Sequence, residues 1–191
     1  MDFNSIFKAY DVRGIYPEQI DEAVAARIGE AYAAVRQPGT VAVGRDVRAS
    51  GETIKARLIE ALTACGTDVV DIGIITTDQL YFAVGQYGYD GGISVTASHN
   101  PGEYNGLKFS EKGGAPISSK TLSDIRDWAA SDNKSASSKT GEVSEHAILD
   151  DYVTHVLGYI DKSKIKPLKV VANANFGAAG RSVNMIAEKL G

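Results

Sequence analysis

One cysteine, Cys65, stands in a chain of 191 residues. That excludes an intramolecular disulfide and a thiolate metal cluster, and it fits a reducing compartment, with the cytoplasm as the expectation. Cys65 ends an apolar helical pattern and is expected to pack. No apolar run reaches membrane-spanning length, and the opening Met1 to Ile6 carries Asp2 and no apolar core run, so it is not expected to be a secretory signal. Positive charge is not in excess either: 20 Lys and Arg against 24 Asp and Glu leave a net charge of -4. Electrostatics therefore give no reason to expect nucleic acid or an anionic membrane as a partner. No Asp-x-Asp-x-Asp triplet occurs, Asp150 and Asp151 lie in a helical pattern with no third acid, and the spacing of His146 and His155 is no metal motif. What is present is ordinary for a soluble globular protein, with 43% hydrophobic and 23% charged residues. The length suits one well-buried domain and part of a second.

Helical and strand periods alternate along the chain. Ile20, Ala23, Val24, Ile28, Ala31 and Val35 share one face of a helix over Gln19 to Val35. A short strand, Thr40 to Val43, runs into Gly44-Arg45-Asp46, and Ser50 is placed to cap a helix from Gly51 to Ala64 that Gly66 stops. Asp68 to Ile72 is β-branched enough for a strand, and Thr77 or Asp78 is placed to cap a helix carrying Leu80, Phe82 and Val84. Gly91 to Val95 is the next strand. Gly106 to Ser110 follows too closely for a crossover helix, so it is expected to be a hairpin partner, and Ser119 to Ala130 a closing helix. This order predicts an α/β fold, a three-layer α/β/α domain with a mixed, mostly parallel sheet, whose ligands bind beyond the carboxyl ends of the strands.

From Ser131 to Gly141 the composition turns to Ser, Lys, Asp and Asn, a surface linker. The expected division is residues 1–140 as the first domain and 141–191 as a linker helix and the incomplete start of a second. That second part is expected to hold a helix over His146 to Ile160, a strand over Leu168 to Ala172 and a helix from near Ala178. A single strand with unpaired edges is a route to association between copies.

The polar run Thr96-Ala97-Ser98-His99-Asn100-Pro101 follows directly on a strand, with Asn105-Gly106-Leu107-Lys108 just beyond. A serine on such a turn is exposed and held by backbone, as a nucleophile or phosphate carrier requires; a plain polar turn would use the same residue types. Pro101 fixes the exit of the turn and pushes Asn100 toward an extended conformation. By alternation with Leu107 and Phe109, Lys108 could equally be a solvent-facing strand residue. Arg13 and Asp11 could be a surface pair of little consequence. Arg45, Asp46 and Arg48 are expected to brace the loop around Ser98.

The run Thr96 to Pro101 resembles the active-serine loop of the α-D-phosphohexomutases, the phosphomannomutase/phosphoglucomutase family, and Asn105 to Lys108 falls where that family has Asn-Gly-x-Lys. Lys8-Ala9-Tyr10-Asp11-Val12-Arg13-Gly14 resembles the family's opening motif, and Gly44-Arg45-Asp46-Val47-Arg48-Ala49-Ser50-Gly51 its second strand and loop. The resemblance implies the N-terminal part of a phosphosugar mutase that interconverts hexose 1-phosphate and 6-phosphate, of mannose or glucose. Phospho-Ser98 would give its phosphate to the sugar and regain one from a hexose 1,6-bisphosphate. Among the other residues it implies Lys108 for acid/base work, Arg13 for positive charge, His99 in the same pocket, and Tyr10 and Asn100 as phosphate-binding groups. It also implies Mg2+ between the phosphate on Ser98 and three aspartates that this sequence lacks. Family members have four domains, so the 191 residues alone are expected to be inactive. The alternative is a noncatalytic phosphosugar- or partner-binding module. The family's frequent Thr-Pro is absent at Ile75-Thr76-Thr77-Asp78, Asn173 stands where aspartate is frequent, and Thr96 leans away from the glucosamine mutases.

Overall fold

The computed structural model describes residues 2–135, 137–166 and 168–191. In chain order the regular elements are α1 (Phe3–Ile6), β1 (Val12–Ile15), α2 (Glu22–Arg36), β2 (Thr40–Arg45), α3 (Gly51–Ala64), β3 (Asp68–Ile74), α4 (Thr77–Tyr87), β4 (Gly91–Val95) and β5 (Tyr104–Glu111). They continue with β6 (Ala115–Pro116), α5 (Ser119–Ala130), β7 (Val143–Glu145), α6 (Leu149–Leu157) and α7 (Ala179–Leu190). None of the helices is long and apolar enough to cross a membrane among the described residues.

The sheet has seven strands in the order β1-β5-β4-β2-β3-β7, with β6 also on β5. β4, β2, β3 and β7 pair in parallel, whereas β5 runs antiparallel to β1, β4 and β6. Among the described residues β5 is thus the one strand of the sheet that runs against the rest. Alternation along the strands builds two cores. Val12, Val41, Val43, Ile93, Val95, Leu107 and Phe109 face one layer of helices, packed with Ile28 of α2, Leu58 of α3 and Ile125 of α5. Ala42, Val70 and Ile72 face the other, under Leu80, Ala83 and Val84 of α4. The three-layer expectation matches this architecture.

Local chemistry explains where element boundaries differ from expectation. α2 starts at Glu22 because the Asp21 carboxylate accepts the Val24 N–H at 2.8 Å. Ala23 is exposed, and Ala25 and Gly29 take the buried face; a Cβ on Gly29 would press on Leu58 of α3. Ser50 sits at the start of α3 without capping it, and its hydroxyl instead accepts the Asn105 Nδ2–H at 2.9 Å. Thr76, not Thr77 or Asp78, precedes α4, where the Gln79 side chain accepts the Thr76 N–H at 2.9 Å. β1 pairs with β5 only because residue 106 is glycine: any Cβ there would overlap the Val12 carbonyl.

Beyond the linker, the short strand β7 pairs with β3 and extends the first sheet. α6 covers Leu149–Leu157 rather than His146 to Ile160, since the His146 N–H is already bonded to the Asp71 carbonyl at the end of the β7 pairing. The strand expected over Leu168 to Ala172 is not formed: among the described residues no neighbouring strand offers it hydrogen bonds, and Leu168 and Val171 stand 78% and 92% exposed. α7 nevertheless docks, because Gln79 Nε2 of α4 donates to Ser182 Oγ at 2.8 Å in a buried contact.

The start of β2 is tied by Asp90, whose Oδ2 accepts the N–H groups of Gly39 (3.0 Å) and Thr40 (3.2 Å) while Oδ1 accepts Lys112 Nζ at 2.8 Å. The Lys112 hydrogen bond first, and the Thr40 N–H next, hold this carboxyl below its ordinary value. A depressed folded-state value means stability that is present above the unfolded carboxylate range, near pH ~4, and lost as pH falls through the folded value. Asp90→Ala is expected to lower stability by about 1 kcal/mol at pH 7, discounted for solvent screening. In urea unfolding the gap between variant and parent should close as the pH is lowered through the acid range.

Candidate active site

The β4–β5 connection leaves the carboxyl end of β4, where an α/β sheet presents its ligands. Ser98 is exposed there, with φ 57 in the left-handed region, which costs a non-glycine residue about 1–2 kcal/mol. The loop maintains that conformation with its own bonds. The Ser98 N–H donates to Thr96 Oγ1 (3.0 Å), whose hydroxyl donates to Asp46 Oδ2 (2.7 Å), and Asn100 donates to the Ala97 carbonyl from its backbone (3.1 Å) and its Nδ2 (2.7 Å). Ser98 Oγ lies 3.3 Å from His99 Nδ1, a long contact for this pair of atoms.

Arg48 closes the loop from outside. Its Nη1 donates to the carbonyls of Pro101 (2.5 Å) and Tyr104 (2.8 Å), its Nη2 to those of Ser98 (2.9 Å) and Asn100 (2.6 Å), and its Nε to Asp46 Oδ2 (3.1 Å). A guanidinium has five N–H donors, and all five are spent. Arg48 is therefore a staple with nothing left for a phosphate. Asp46 orients it and also accepts the Arg48 N–H at 3.0 Å. Arg45 pairs with Glu52 at 2.6 Å and donates to the Asp46 carbonyl at 2.9 Å, one step further out.

A second group assembles on the neighbouring strands. Asp11 is fully buried, which corrects its reading as half of a surface pair. Its Oδ2 accepts Arg13 Nε (2.8 Å), Arg13 Nη2 (2.7 Å) and Lys108 Nζ (3.0 Å). Lys108 is not a solvent-facing strand residue either: its side chain is 16% exposed, because the face opposite Leu107 and Phe109 lies on the α4 side of the sheet. Tyr10 covers the pair, its ring centroid 5.0 Å from Lys108 Nζ and 5.6 Å from Arg13 Cζ. Arg13 is held above its ordinary value, chiefly by the Asp11 hydrogen bond, with burial opposing.

Two clefts meet at Asn100. One, of about 400 Å³, is lined by Ser98, His99, Asp46, Thr76 and, from beyond the linker, Asn175 and Ala178. The other, of about 490 Å³, is lined by Tyr10, Arg13, Gln19 and Tyr104. Asn100 borders both. Ser98, His99 and Asn100 thus form one group, Tyr10, Arg13 and Lys108 another, and no direct contact joins Ser98 to Lys108 among the described residues. Sequence reasoning missed Asp11, whose burial depends on a pairing with a strand 95 residues away, and Asn105, which bridges Ser50 Oγ and its neighbour's N–H.

Comparison with known proteins supplies the class. The family model for phosphoglucomutase/phosphomannomutase, alpha/beta/alpha domain I, matches residues 4–136. A phosphomannomutase of Escherichia coli is 44% identical over 183 residues, 94% of this chain and 40% of that protein. The phosphohexose mutases of Xanthomonas campestris pv. campestris are 43% identical over 187 residues, 96% of this chain and 41% of theirs. A solved phosphoglucomutase/phosphomannomutase family protein from Burkholderia thailandensis superposes with a TM-score of 0.88 at 34% identity, over all of this chain and 43% of its own. The chain belongs to the phosphoglucomutase/phosphomannomutase family. It spans about 40% of the length of the curated relatives it matches.

Proposed function

We propose that this chain is the amino-terminal part of a phosphosugar mutase that interconverts hexose 1-phosphate and 6-phosphate through a phosphate carried on Ser98, and that the 191 residues alone do not turn over. The observation that carries the reading is the stapled loop: Arg48 and Asp46 hold a strained backbone that keeps the Ser98 hydroxyl outside the sheet edge. Relatives named as phosphomannomutase and phosphohexose mutases support the substrate class.

In each half-reaction a phosphorus–oxygen bond to one oxygen forms as the bond to another breaks, and the accepting hydroxyl gives up its proton. Ser98 Oγ is the protein's carrier oxygen. Lys108 moves the proton, Arg13 offsets charge on the phosphoryl oxygens, and His99, Tyr10 and Asn100 supply hydrogen bonds to phosphate. Substrates are hexose phosphates, mannose or glucose, with the hexose 1,6-bisphosphate as intermediate, and the compartment is the cytoplasm. Residues 1–140 carry the active-serine loop, and 141–191 open a second domain, apart from β7 and Ile148, which join the first sheet and its core; the exposed Leu168, Val170 and Val171 offer a surface for association between copies.

Mg2+ would sit on an oxygen of the phosphorylated Ser98. The residues present do not complete such a site: no group of three or more His, Cys, Asp or Glu side chains among those described could hold a metal ion. Asp46, in the same cleft, has both oxygens engaged by Arg48 and Thr96. The roles assigned above are accordingly those of the chain's own side chains.

Mass spectrometry tests the reading. The chain, incubated with a hexose 1,6-bisphosphate and the remaining domains of the mutase, is expected to carry one phosphate, on Ser98. A chain that stays unmodified under those conditions would instead be a binding module.

A further inference from the structure

Asp11 gathers all of its donors on one of its two oxygens. Three N–H donors from two side chains converge on Oδ2, at 2.7 to 3.0 Å. Oδ1 is buried without any hydrogen-bond partner among the described residues. An unpartnered carboxylate oxygen in a fully buried group carries a desolvation cost, and apolar replacements of buried ion clusters are often neutral or stabilising. A group kept at such a cost calls for another explanation.

The cations differ from Arg48 in what they leave free. Arg13 gives two N–H groups to Asp11 and one, at 3.3 Å, to the Tyr10 hydroxyl, so the Nη1 donors remain. Lys108 gives one of its three to Asp11. The two side chains come from antiparallel neighbours: Val12 is opposite Leu107 and Arg13 opposite Gly106. One carboxylate at the head of β1 thus ties a residue of β1 to a residue of β5, directly beside the cleft that Asn100 shares with Ser98.

We propose that Asp11 is a positioning residue for phosphate transfer, holding Arg13 and Lys108 as one rigid pair with free donors on both. The inference rests on the proposed mutase function, and it goes further by assigning the pair's placement to a residue that touches neither phosphate nor sugar.

Steady-state kinetics of the complete mutase test it. Asp11→Asn keeps the shape and removes the charge; kcat should fall about 100-fold, the scale of an ångström misplacement, with KM within about twofold. Asp11→Glu keeps the charge and shifts it by one methylene; it should not rescue, leaving kcat at least about tenfold down. A carboxylate needed only for its charge predicts rescue by Glu. Both variants are first checked for cooperative thermal unfolding, and if Asp11→Asn does not fold, the Glu variant decides. Added to Lys108→Met, Asp11→Asn should lower kcat little further, because both act through one group. Normal kcat in Asp11→Asn beside a damaged Lys108→Met would overturn this inference alone. Full activity in Lys108→Met would overturn it together with the role given to Lys108.

Discussion

Ser98→Ala should leave the chain folded and unable to take up phosphate. In the complete mutase, turnover is expected to fall by roughly four orders of magnitude or more, the scale of losing a nucleophile that acts as part of a unit. Alanine bears the same left-handed backbone that serine does, so unfolding should be nearly unchanged. Ser98→Gly makes the sharper comparison. Glycine populates φ 57 without a Cβ penalty, so this variant should be more stable than the parent by about 1 kcal/mol and equally inert. Intact-mass measurement after incubation with a hexose 1,6-bisphosphate, with thermal unfolding alongside, checks both halves. Phosphate still arriving on Ser98→Ala would assign the carrier to another residue.

Arg48→Lys is expected to fail although it keeps the charge. An ammonium has three donors on a flexible stem, where the guanidinium has five in a planar fork. At least two of the five side-chain contacts, four to loop carbonyls and one to Asp46, must be lost, and the remainder cannot keep their geometry. At about 1 kcal/mol for each hydrogen bond, the loop should lose roughly 2–4 kcal/mol of local stability. Amide exchange over residues 97–104 should accelerate accordingly, and phosphate loading should slow by about 100-fold. Loading at the parental rate in Arg48→Lys would show that the staple is dispensable. An Arg48→Ala protein would be less informative, since it also leaves the Asp46 carboxylate short of its cation.

Much of the sheet was legible because its signals are local. α3 and β4 have the limits expected from their patterns, and the loop after β4 is marked by Pro101 and by its run of polar residues. Features that depend on distant partners were not. β1 shows no strand pattern of its own in Val12–Ile15; it exists because Gly106 lets β5 approach. β7 is three exposed residues with no periodicity, held by pairing with β3. Leu168 to Ala172 is the opposite case: its β-branched residues advertise a strand that finds no partner among the described residues. Lys108 illustrates how a correct alternation misleads. It does point away from Leu107 and Phe109, but that side belongs to a second helical layer and not to water. The candidate site was readable at Ser98 from its motif, whereas Asp11 is one acid in a short polar stretch whose burial no local pattern announces.

Tyr104, one of the four carbonyls gripped by Arg48, is also the first residue of β5. The grip on the serine loop is therefore also the clamp that sets the register of a strand on which Lys108 rides four residues later. Sliding that hairpin by a single residue would swing Lys108 to the Leu107 side of the sheet and send an apolar side chain to Asp11. Lengthening or shortening the stretch 96–103 by one amino acid would thus disturb the carrier oxygen and the proton-handling amine together, although they stand on different segments.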